Sequence, residues 1–176
     1  MRIISGAFKG RQLAGPTGPG LRPTSDSLRE TLFNILGPRV RGTTMLDGFA
    51  GTGAVGLEAL SRGAARVTFV ELDRRAIKLL QDNIRLCGAG AQSEVVSSDW
   101  QRGAATLSDR FDVVFLDPPY DVTDLEAVVR VGAPLLAPGG RLVLEHSRRR
   151  DSPAEVAPLQ RTRLVLAGDS ALSFYQ

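Results

Sequence analysis

Short apolar runs rich in β-branched residues alternate with stretches of helical periodicity from Thr43 onward. The apolar runs predict strands at about Thr43–Asp47, Arg66–Glu71, Ser93–Ser97, Phe111–Leu116 and Arg141–Glu145. The periodic stretches predict helices at about Ala54–Ser61, Arg74–Leu86 and Asp124–Leu136. We expect Gly63 to end the first helix and Pro138-Gly139-Gly140 to end the last. Strand followed by helix, repeated, is typical of βαβ units, so the pattern predicts a parallel sheet with helices on both faces.

Two segments depart from this alternation. Arg161–Ala167 and Ala171–Gln176 are both strand-like, and the turn residues between them, Gly168-Asp169-Ser170, predict an antiparallel hairpin. Ahead of the first strand, Ser27 and Glu30 have the spacing of a capping box. They would begin a leading helix, which is predicted by the helical spacing of Leu28, Leu32 and Ile35 and ends at Gly37-Pro38.

Composition narrows the class of protein. With 176 residues, 43% of them hydrophobic and 23% charged, the chain is expected to form one globular unit around a single core. It contains no apolar run of bilayer length and no signal peptide pattern, so we expect a cytoplasmic protein. A lone cysteine, Cys87, and a lone histidine, His146, offer no disulfide and no zinc cluster, and a mechanism without metal is expected.

Basic residues are concentrated near the N-terminus. Residues 1–41 carry seven Lys or Arg and two acids, whereas the remainder carries fifteen and seventeen. Arg2, Lys9, Arg11 and Arg22 stand among Gly and Pro residues with no acid before Asp26. This spacing suits contact with a phosphate backbone, and these four residues are the predicted set for binding a nucleic acid. From charge alone, a solvated leader is an equal alternative.

A glycine-rich segment follows the first predicted strand. Gly51, Gly53 and Gly56 satisfy GxGxxG between a strand and a helix, and Glu71 ends the next strand where a ribose-binding carboxylate is expected. This combination predicts a cofactor that contains a nucleoside. Asp47, at the tip of the first strand, favours S-adenosylmethionine, because a carboxylate there suits an ammonium group and would repel a pyrophosphate.

Further along, Asp99 is placed to accept a hydrogen bond from an adenine amino group beside the face of Trp100. For Trp100, packing at the start of a helix is an equal alternative. The full predicted set of cofactor-binding residues is Asp47, Phe49, Gly51, Gly53, Glu71, Leu72, Asp99 and Trp100.

The sequence Asp117-Pro118-Pro119-Tyr120 follows the strand that ends at Leu116. Consecutive prolines fix the backbone path and lack N–H donors, so the loop is rich in acceptors. The Asp117 carboxylate and the Pro118 carbonyl could together hold the two hydrogens of an exocyclic amine and make its nitrogen more nucleophilic. Tyr120 could stack on an extruded base. We therefore predict these four residues as the catalytic loop, and a plain strand-ending turn is the alternative.

Together, the two loops resemble those of class I S-adenosylmethionine-dependent methyltransferases that act on adenine N6 or guanine N2. Within that branch, Met1–Leu13, Arg22–Leu36, Leu46–Ala65 and the closing Phe174-Tyr175-Gln176 are similar to the bacterial 16S ribosomal RNA guanine-N2 methyltransferase family. The resemblance covers essentially the whole chain. One departure is Gly48, where the family is expected to have a bulky apolar residue.

The resemblance implies a Rossmann-like α/β fold with a seven-stranded, mostly parallel sheet of order 3-2-1-4-5-7-6. It also implies a small N-terminal β-hairpin, over residues 1–24, that contacts RNA ahead of a catalytic domain over residues 25–176. S-adenosylmethionine would be the cofactor and ribosomal RNA or the small ribosomal subunit the partner, with the chain acting as a monomer.

Several questions stay open at this level. The catalytic loop alone does not separate guanine N2 from adenine N6, and GxGxxG with Glu71 also fits a nicotinamide-dependent oxidoreductase. A catalytically idle RNA-binding module is a third alternative. His146 is expected to be structural, and Arg148-Arg149-Arg150 is expected to be a solvated loop that could also touch RNA. The modified nucleotide, the state of the RNA substrate and the roles of Arg22, Arg29 and Glu30 are not set by the sequence.

Overall fold

Eight strands form one sheet in the part of the chain that the structure, a computed structural model, describes: residues 1–15 and 25–176. The strands are β1 (Thr44–Gly48), β2 (Arg66–Glu71), β3 (Ser93–Ser97), β4 (Phe111–Leu116), β5 (Leu136–Ser147), β6 (Glu155–Val156), β7 (Leu159–Ala167) and β8 (Ser170–Tyr175). Their order is β3-β2-β1-β4-β5-β8-β7-β6, with β1 to β5 parallel and β8 antiparallel to β5 and β7. Without the two-residue β6, this is the predicted order, so the fold prediction is confirmed.

Helices cover both faces of the sheet. They are α1 (Asp26–Leu36), α2 (Ala54–Ser61), α3 (Arg74–Cys87), α4 (Trp100–Thr106) and α5 (Leu125–Gly132). Apolar residues of α1, α2 and α3 form one buried cluster on one face, and those of α4 and α5 form a second cluster on the other. No helix of the described residues is both long and apolar enough to span a bilayer.

The first helix begins two residues earlier than the capping-box spacing predicts. Ser25 has extended backbone torsions, and its Oγ accepts a hydrogen bond from the Leu28 N–H at 3.1 Å. Ser27 already lies inside the helix, so the prediction of a cap formed by Ser27 and Glu30 is wrong. An N-cap needs a residue that is not yet helical, and sequence spacing did not distinguish between the two serines.

The segment before Arg141 also differs from the prediction. Helix α5 ends at Gly132, and β5 already begins at Leu136, so Pro138-Gly139-Gly140 lies inside the strand. Leu136 pairs with Phe111 and Arg141 with Val113, which makes the proline-glycine stretch a bulge in β5. A Cβ on Gly140 would lie 3.0 Å from the Phe111 carbonyl oxygen, so the absence of a side chain lets β4 pass close by.

Residues 1–15 pack against the helices instead of forming a loose leader. An antiparallel bridge joins Arg2 to Gln12, and the side chains of Ile3 and Leu13 are buried in the first cluster. The buried carboxylate of Glu58 accepts hydrogen bonds from the Ile4 and Ser5 backbone at 2.8 and 3.1 Å. The described part of the predicted N-terminal hairpin therefore shares the core of the catalytic unit.

Arg29 completes this attachment from the side of α1. Its side chain is 0% exposed, and its Nη2 donates to the Arg2 carbonyl and to Asp26, each at 2.7 Å. Burial lowers the pKa of the guanidinium, while Asp26 and Glu58 oppose that change. A buried charge requires such partners, which explains why the helix and the N-terminal segment are joined by charged groups.

Asn83 of α3 connects the N-terminal segment to the loop after β1. Its Oδ1 accepts from the Ala14 N–H at 2.7 Å, and its Nδ2 donates to the carbonyls of Ala14 and Thr52, both at 3.0 Å. The side chain is fully buried. We therefore expect Asn83 to fix the position of the glycine loop relative to the N-terminal segment.

Replacing Asn83 with Ala should lower the free energy of unfolding by about 1–3 kcal/mol, because buried backbone groups lose their partners. Urea denaturation would measure the change. Gln81→Ala, on an exposed position of the same helix, is the matched control and should have little effect. Equal stabilities for the two variants would contradict the role given to Asn83.

Candidate active site

Acidic residues stand where parallel strands end at one edge of the sheet. Asp47 lies near the end of β1, Glu71 ends β2, and Asp117 directly follows β4. Asp99 lies two residues past β3. Because the carboxyl ends of parallel strands lie at the same edge, the topology brings these four predicted residues to one side of the molecule.

The glycine loop connects β1 to α2 along this edge. Gly53 has a φ of +79° and precedes α2, and a Cβ on it would lie 2.3 Å from Leu80. A Cβ on Gly56 would lie 2.3 Å from the Phe69 ring of β2. Gly56 therefore allows α2 to pack closely on the sheet, as the third glycine of such a loop does in dinucleotide-binding folds. Gly53 leaves room for the Leu80 side chain of α3. No atom lies within 4 Å of a Cβ built on Gly51, so that position faces open space.

Asp47 lies beneath the loop. The residue is 2% exposed, and its Oδ2 accepts a hydrogen bond from the Gly56 N–H at 2.9 Å. Burial raises the pKa of this carboxyl well above its ordinary value, and the nearby charges of Asp117 and Glu71 add to the increase. The hydrogen bond from Gly56 acts in the opposite direction. Asp47 thus organises the first turn of α2, and the prediction that it contacts a cofactor remains untested.

Backbone N–H groups hold the Glu71 carboxylate in a fixed orientation. Oε2 accepts from Gly51 at 2.7 Å, and Oε1 accepts from Leu72 and Asp73, each at 2.8 Å. These bonds connect the glycine loop after β1 to the tip of β2. A carboxylate held in this way keeps acceptor capacity for a ligand without needing to reorient on binding.

Apolar side chains border the same edge. Leu72 is 64% exposed directly after Glu71, so its side chain is available for contact with a flat ligand at this edge. Phe49 has a φ of +62°, which is rare for a bulky residue, and its ring centroid lies 5.7 Å from that of Trp100. Strained backbone of this kind concentrates at functional sites.

Trp100 has a structural environment. It is 3% exposed, and its Nε1 donates to the Val128 carbonyl at 3.1 Å, so its indole lies in the core between the sheet and α5. The indole therefore has no exposed face for the predicted contact with adenine. Its position is that of the alternative, a tryptophan packed at the start of a helix. Asp99 is more open: it caps α4 through a 3.0 Å bond from the Arg102 N–H. We did not predict α4 as a helix from sequence.

Gly48 and Trp100 fit each other in size. A Cβ on Gly48 would lie 2.6 Å from Leu116 and 2.9 Å from the indole ring of Trp100. Gly48, where a bulky apolar residue was expected, is therefore required by the neighbouring Leu116 and Trp100 side chains.

The Asp-Pro-Pro-Tyr segment leaves β4 beside the glycine loop. The Asp117 N–H lies 3.4 Å from the Gly48 carbonyl oxygen, and Pro118 is buried. The Pro119 carbonyl accepts from the Val122 N–H at 2.9 Å, which closes a turn. Tyr120 is 45% exposed. The structure therefore places the two predicted loops side by side, with the tyrosine ring open to solvent.

Tyr120 is linked to the last strand. Its hydroxyl lies 3.1 Å from the Ser170 Oγ, and Ser170 in turn donates to the buried Glu145 carboxylate at 3.0 Å. This chain of hydrogen bonds runs from the catalytic loop to β5 and β8. The C-terminal hairpin therefore helps to position the aromatic ring.

The sequence predicts Arg150 only as part of a solvated loop that could touch RNA, whereas the structure places it against the catalytic loop. Its guanidinium donates to the carbonyls of Tyr120, Val122 and Thr123 at 3.2, 2.5 and 2.7 Å. The side chain thus holds the catalytic loop through backbone atoms, which leave no trace in a sequence pattern. Within Arg148-Arg149-Arg150, this third arginine is a structural clamp and not part of a solvated loop.

His146 is buried among hydroxyl groups, as expected for a structural histidine. Its Nε2 lies 2.9 Å from the Ser173 Oγ, which lies 2.6 Å from the Ser152 Oγ. Burial lowers the pKa of the imidazole. These bonds anchor the segment that carries Arg150. No group of acidic, histidine or cysteine side chains in the described residues is arranged to hold a metal ion.

Three of the four predicted RNA-binding residues lie on the exposed side of the N-terminal segment. Arg2 and Lys9 are exposed, and Arg11 donates to the Leu86 carbonyl at 2.7 Å while stacking on Phe8. Arg22 lies outside the described residues, so its predicted contact has no structural counterpart here.

A mostly parallel sheet of this order, with a glycine loop after β1 and Asp-Pro-Pro-Tyr after β4, defines a Rossmann-like methyltransferase. Comparison with known proteins gives the family. The chain belongs to the family described as Conserved hypothetical protein 95, whose model matches residues 1–176.

Named relatives agree with this class. Ribosomal RNA small subunit methyltransferase D of Escherichia coli K12 is 39% identical over 178 residues, which cover 100% of this chain and 89% of the relative. The Haemophilus influenzae protein of the same name is 46% identical over 124 residues, covering 68% and 64%. The solved structure titled "Putative methyltransferase yhhF" from Escherichia coli has a TM-score of 0.88 at 38% identity and covers 100% of this chain and 97% of its own.

The raised pKa of Asp47 predicts a pH-dependent stability. The unfolded chain ionises at the ordinary carboxyl pKa while the folded protein resists ionisation. The contribution of this group to stability is therefore fully present below the ordinary carboxyl pKa and is lost as the pH rises from there toward the folded pKa. Asp47→Asn removes this cost while its amide oxygen can still accept from Gly56. The unfolding free energy of the variant relative to the parent should therefore grow as the pH rises above the ordinary carboxyl pKa.

Urea denaturation at several pH values would measure this difference. Asp109→Asn, at an exposed position, gives the baseline for removing a carboxylate. A relative stability of Asp47→Asn that shrinks with rising pH would contradict the assignment.

For Arg150, we expect Arg150→Met to loosen the catalytic loop. Hydrogen bonds from a charged donor contribute about 1.5–3 kcal/mol, so exchange of the Val122 amide should speed up by roughly tenfold or more. Hydrogen exchange followed by mass spectrometry would detect it. Arg149→Met, with an exposed side chain, is the matched control, and equal exchange in the two variants would rule out the clamp.

Proposed function

We propose that this chain transfers a methyl group from S-adenosylmethionine to the exocyclic N2 of a guanine in the RNA of the small ribosomal subunit. The observation that carries the proposal is the 3.4 Å approach of the Asp117 N–H to the Gly48 carbonyl, which sets the catalytic loop next to the cofactor loop. Transfer between two bound partners needs adjacent sites of this kind. The relatives named as small subunit methyltransferases support the RNA substrate.

The cofactor would be held along the edge that carries the acids. Glu71, oriented by three N–H groups, would accept hydrogen bonds from the ribose hydroxyls, and the exposed Leu72 would pack on adenine with Asp99 near its amino group. The open space at Gly51 fits close approach of a ligand to the backbone. The chemistry that S-adenosylmethionine would supply is an electrophilic methyl group.

The target base would lie against the catalytic loop. Tyr120 offers an exposed ring for stacking, and the Asp117 carboxylate and Pro118 carbonyl offer two acceptors for the amine hydrogens. The Pro119 carbonyl is occupied by Val122, which makes Pro118 the backbone acceptor of choice. Holding both hydrogens favours a pyramidal nitrogen with an available lone pair. Catalysis would then consist mainly of alignment.

Guanine N2 is preferred over adenine N6 because of the resemblance in the N-terminal and glycine-loop segments. The exposed Arg2, Lys9 and Arg11, together with Arg22, would contact the phosphate backbone of the RNA. The substrate and cofactor imply a cytoplasmic location, and we expect the enzyme to act as a monomer.

The test is methyl transfer from labelled S-adenosylmethionine to small-subunit RNA and to small-subunit particles from cells that lack this protein, with nucleoside analysis. We expect N2-methylguanosine at one site. Asp117→Ala should reduce kcat by about 100-fold or more, since an acceptor aimed at the reacting group is lost, while cofactor affinity is retained. Asp121→Ala, exposed in the same loop, is the matched control and should stay active.

Other outcomes would change the proposal. N6-methyladenosine as product would move the chain to the adenine branch. Loss of cofactor binding in Asp117→Ala would contradict the separate roles given to the two loops.

A further inference from the structure

A basic groove lies away from the catalytic edge. It has a volume of about 580 Å³ and is formed by the end of α1, the turn after it and the sheet. Of the described residues that line it, three are arginines, Arg39, Arg141 and Arg163, and none is acidic.

Strand register explains why the arginines converge. Arg163 of β7 is directly opposite Phe174 of β8, which is opposite Val143 of β5, and Arg141 precedes Val143 by two residues. Residues two apart on a strand share a face, so Arg141 lies on the same face as Val143 and Phe174. Arg39 approaches this row from the turn that follows α1. The three guanidinium groups therefore come from three separate elements.

The charge of the groove is not balanced from within. Some surface arginines pair with acids, as Arg66 does with Glu94 and Arg130 with Glu126. Among the described residues, no ion pair involves Arg39, Arg141 or Arg163. Arginine side chains without an acidic partner around a concave surface fit phosphate oxygens well, because the guanidinium donates in a fixed fork.

We propose that this groove, lined by Arg39, Arg141 and Arg163, binds the phosphodiester backbone of the RNA substrate at a second point. The inference rests on the proposed function for the identity of the polyanion. Arg141 precedes Glu145, at the catalytic edge, by four residues of β5, a separation of about 13 Å along the strand. RNA bound at both places must therefore pass around the body of the protein. This arrangement favours a folded RNA over a short single strand.

The test compares RNA affinity at several salt concentrations for the parent protein and for Arg141→Gln/Arg163→Gln. The probe is protein-free small-subunit ribosomal RNA. Each lost phosphate contact should reduce the slope of log K against log salt by about 0.7–0.9, so the double variant should lose about 1–2 in slope and roughly 10- to 100-fold in affinity. Arg66→Gln/Arg130→Gln, with the same change in net charge, is the control and should lose little of either.

A third variant and a competition experiment complete the test. Arg39→Gln, at an exposed turn position, should lower the slope by about 0.7–0.9 and serves if the double variant does not fold. Polyglutamate should displace RNA equally from the parent protein and from the groove variant. If polyglutamate displaces RNA from the parent protein but not from the groove variant, the groove binds an acidic protein segment and the RNA proposal is wrong. The proposal is also wrong if the groove variant binds RNA as well as the control variant does.

The outcome separates the groove from the catalytic proposal, because binding is measured without turnover. A reduced slope without methyl transfer to guanine would support the groove and count against the proposed reaction. Methyl transfer to guanine with an unchanged slope would do the reverse.

Discussion

The parallel pairing of β1 with β4 is the constraint on which the site depends. Asp47 pairs with Phe115 and Gly48 with Leu116, so the two strands end at the same level. The glycine loop and the Asp-Pro-Pro-Tyr loop then leave the sheet side by side without any contact between their side chains being required. A shift of register would separate a cofactor from its acceptor even if every side chain were retained. The chemistry thus depends on a backbone ladder in the core.

Polar side chains hold the N-terminal segment and the catalytic loop in fixed positions relative to the sheet. Glu58, Arg29 and Asn83 each bond to backbone atoms of the N-terminal segment. The Arg150 guanidinium donates to the carbonyls of Tyr120, Val122 and Thr123. Such groups are costly to bury and must be satisfied in one geometry, which favours a unique placement over additional stability. The basic N-terminal segment is for this reason a fixed part of the protein surface. Its basic side chains therefore extend from a backbone of fixed conformation.

The sequence predicted most of the sheet because its strands carry uninterrupted apolar runs with clear turn residues between them. The bounds of β2, β3 and β4 agree with the prediction. The helix α4 was missed because its seven residues include few strongly apolar ones, and the start of β5 was missed because Pro138-Gly139-Gly140 has the composition of a turn. At the site, the two predicted motifs come to one edge of the sheet, and the ligand contacts assigned to them stay predictions. Arg150 was not predicted for the site, because it recognises carbonyl oxygens that any residue could provide.

The close fit between Gly48 and Trp100 has an evolutionary consequence. Gly48 cannot gain a side chain alone without a collision, since the space above its backbone is filled by the Leu116 side chain and the Trp100 ring. A bulky residue at 48 should therefore require smaller residues at both 100 and 116. A lineage that makes these changes one at a time must cross a less stable intermediate, so the three positions should be inherited as a unit.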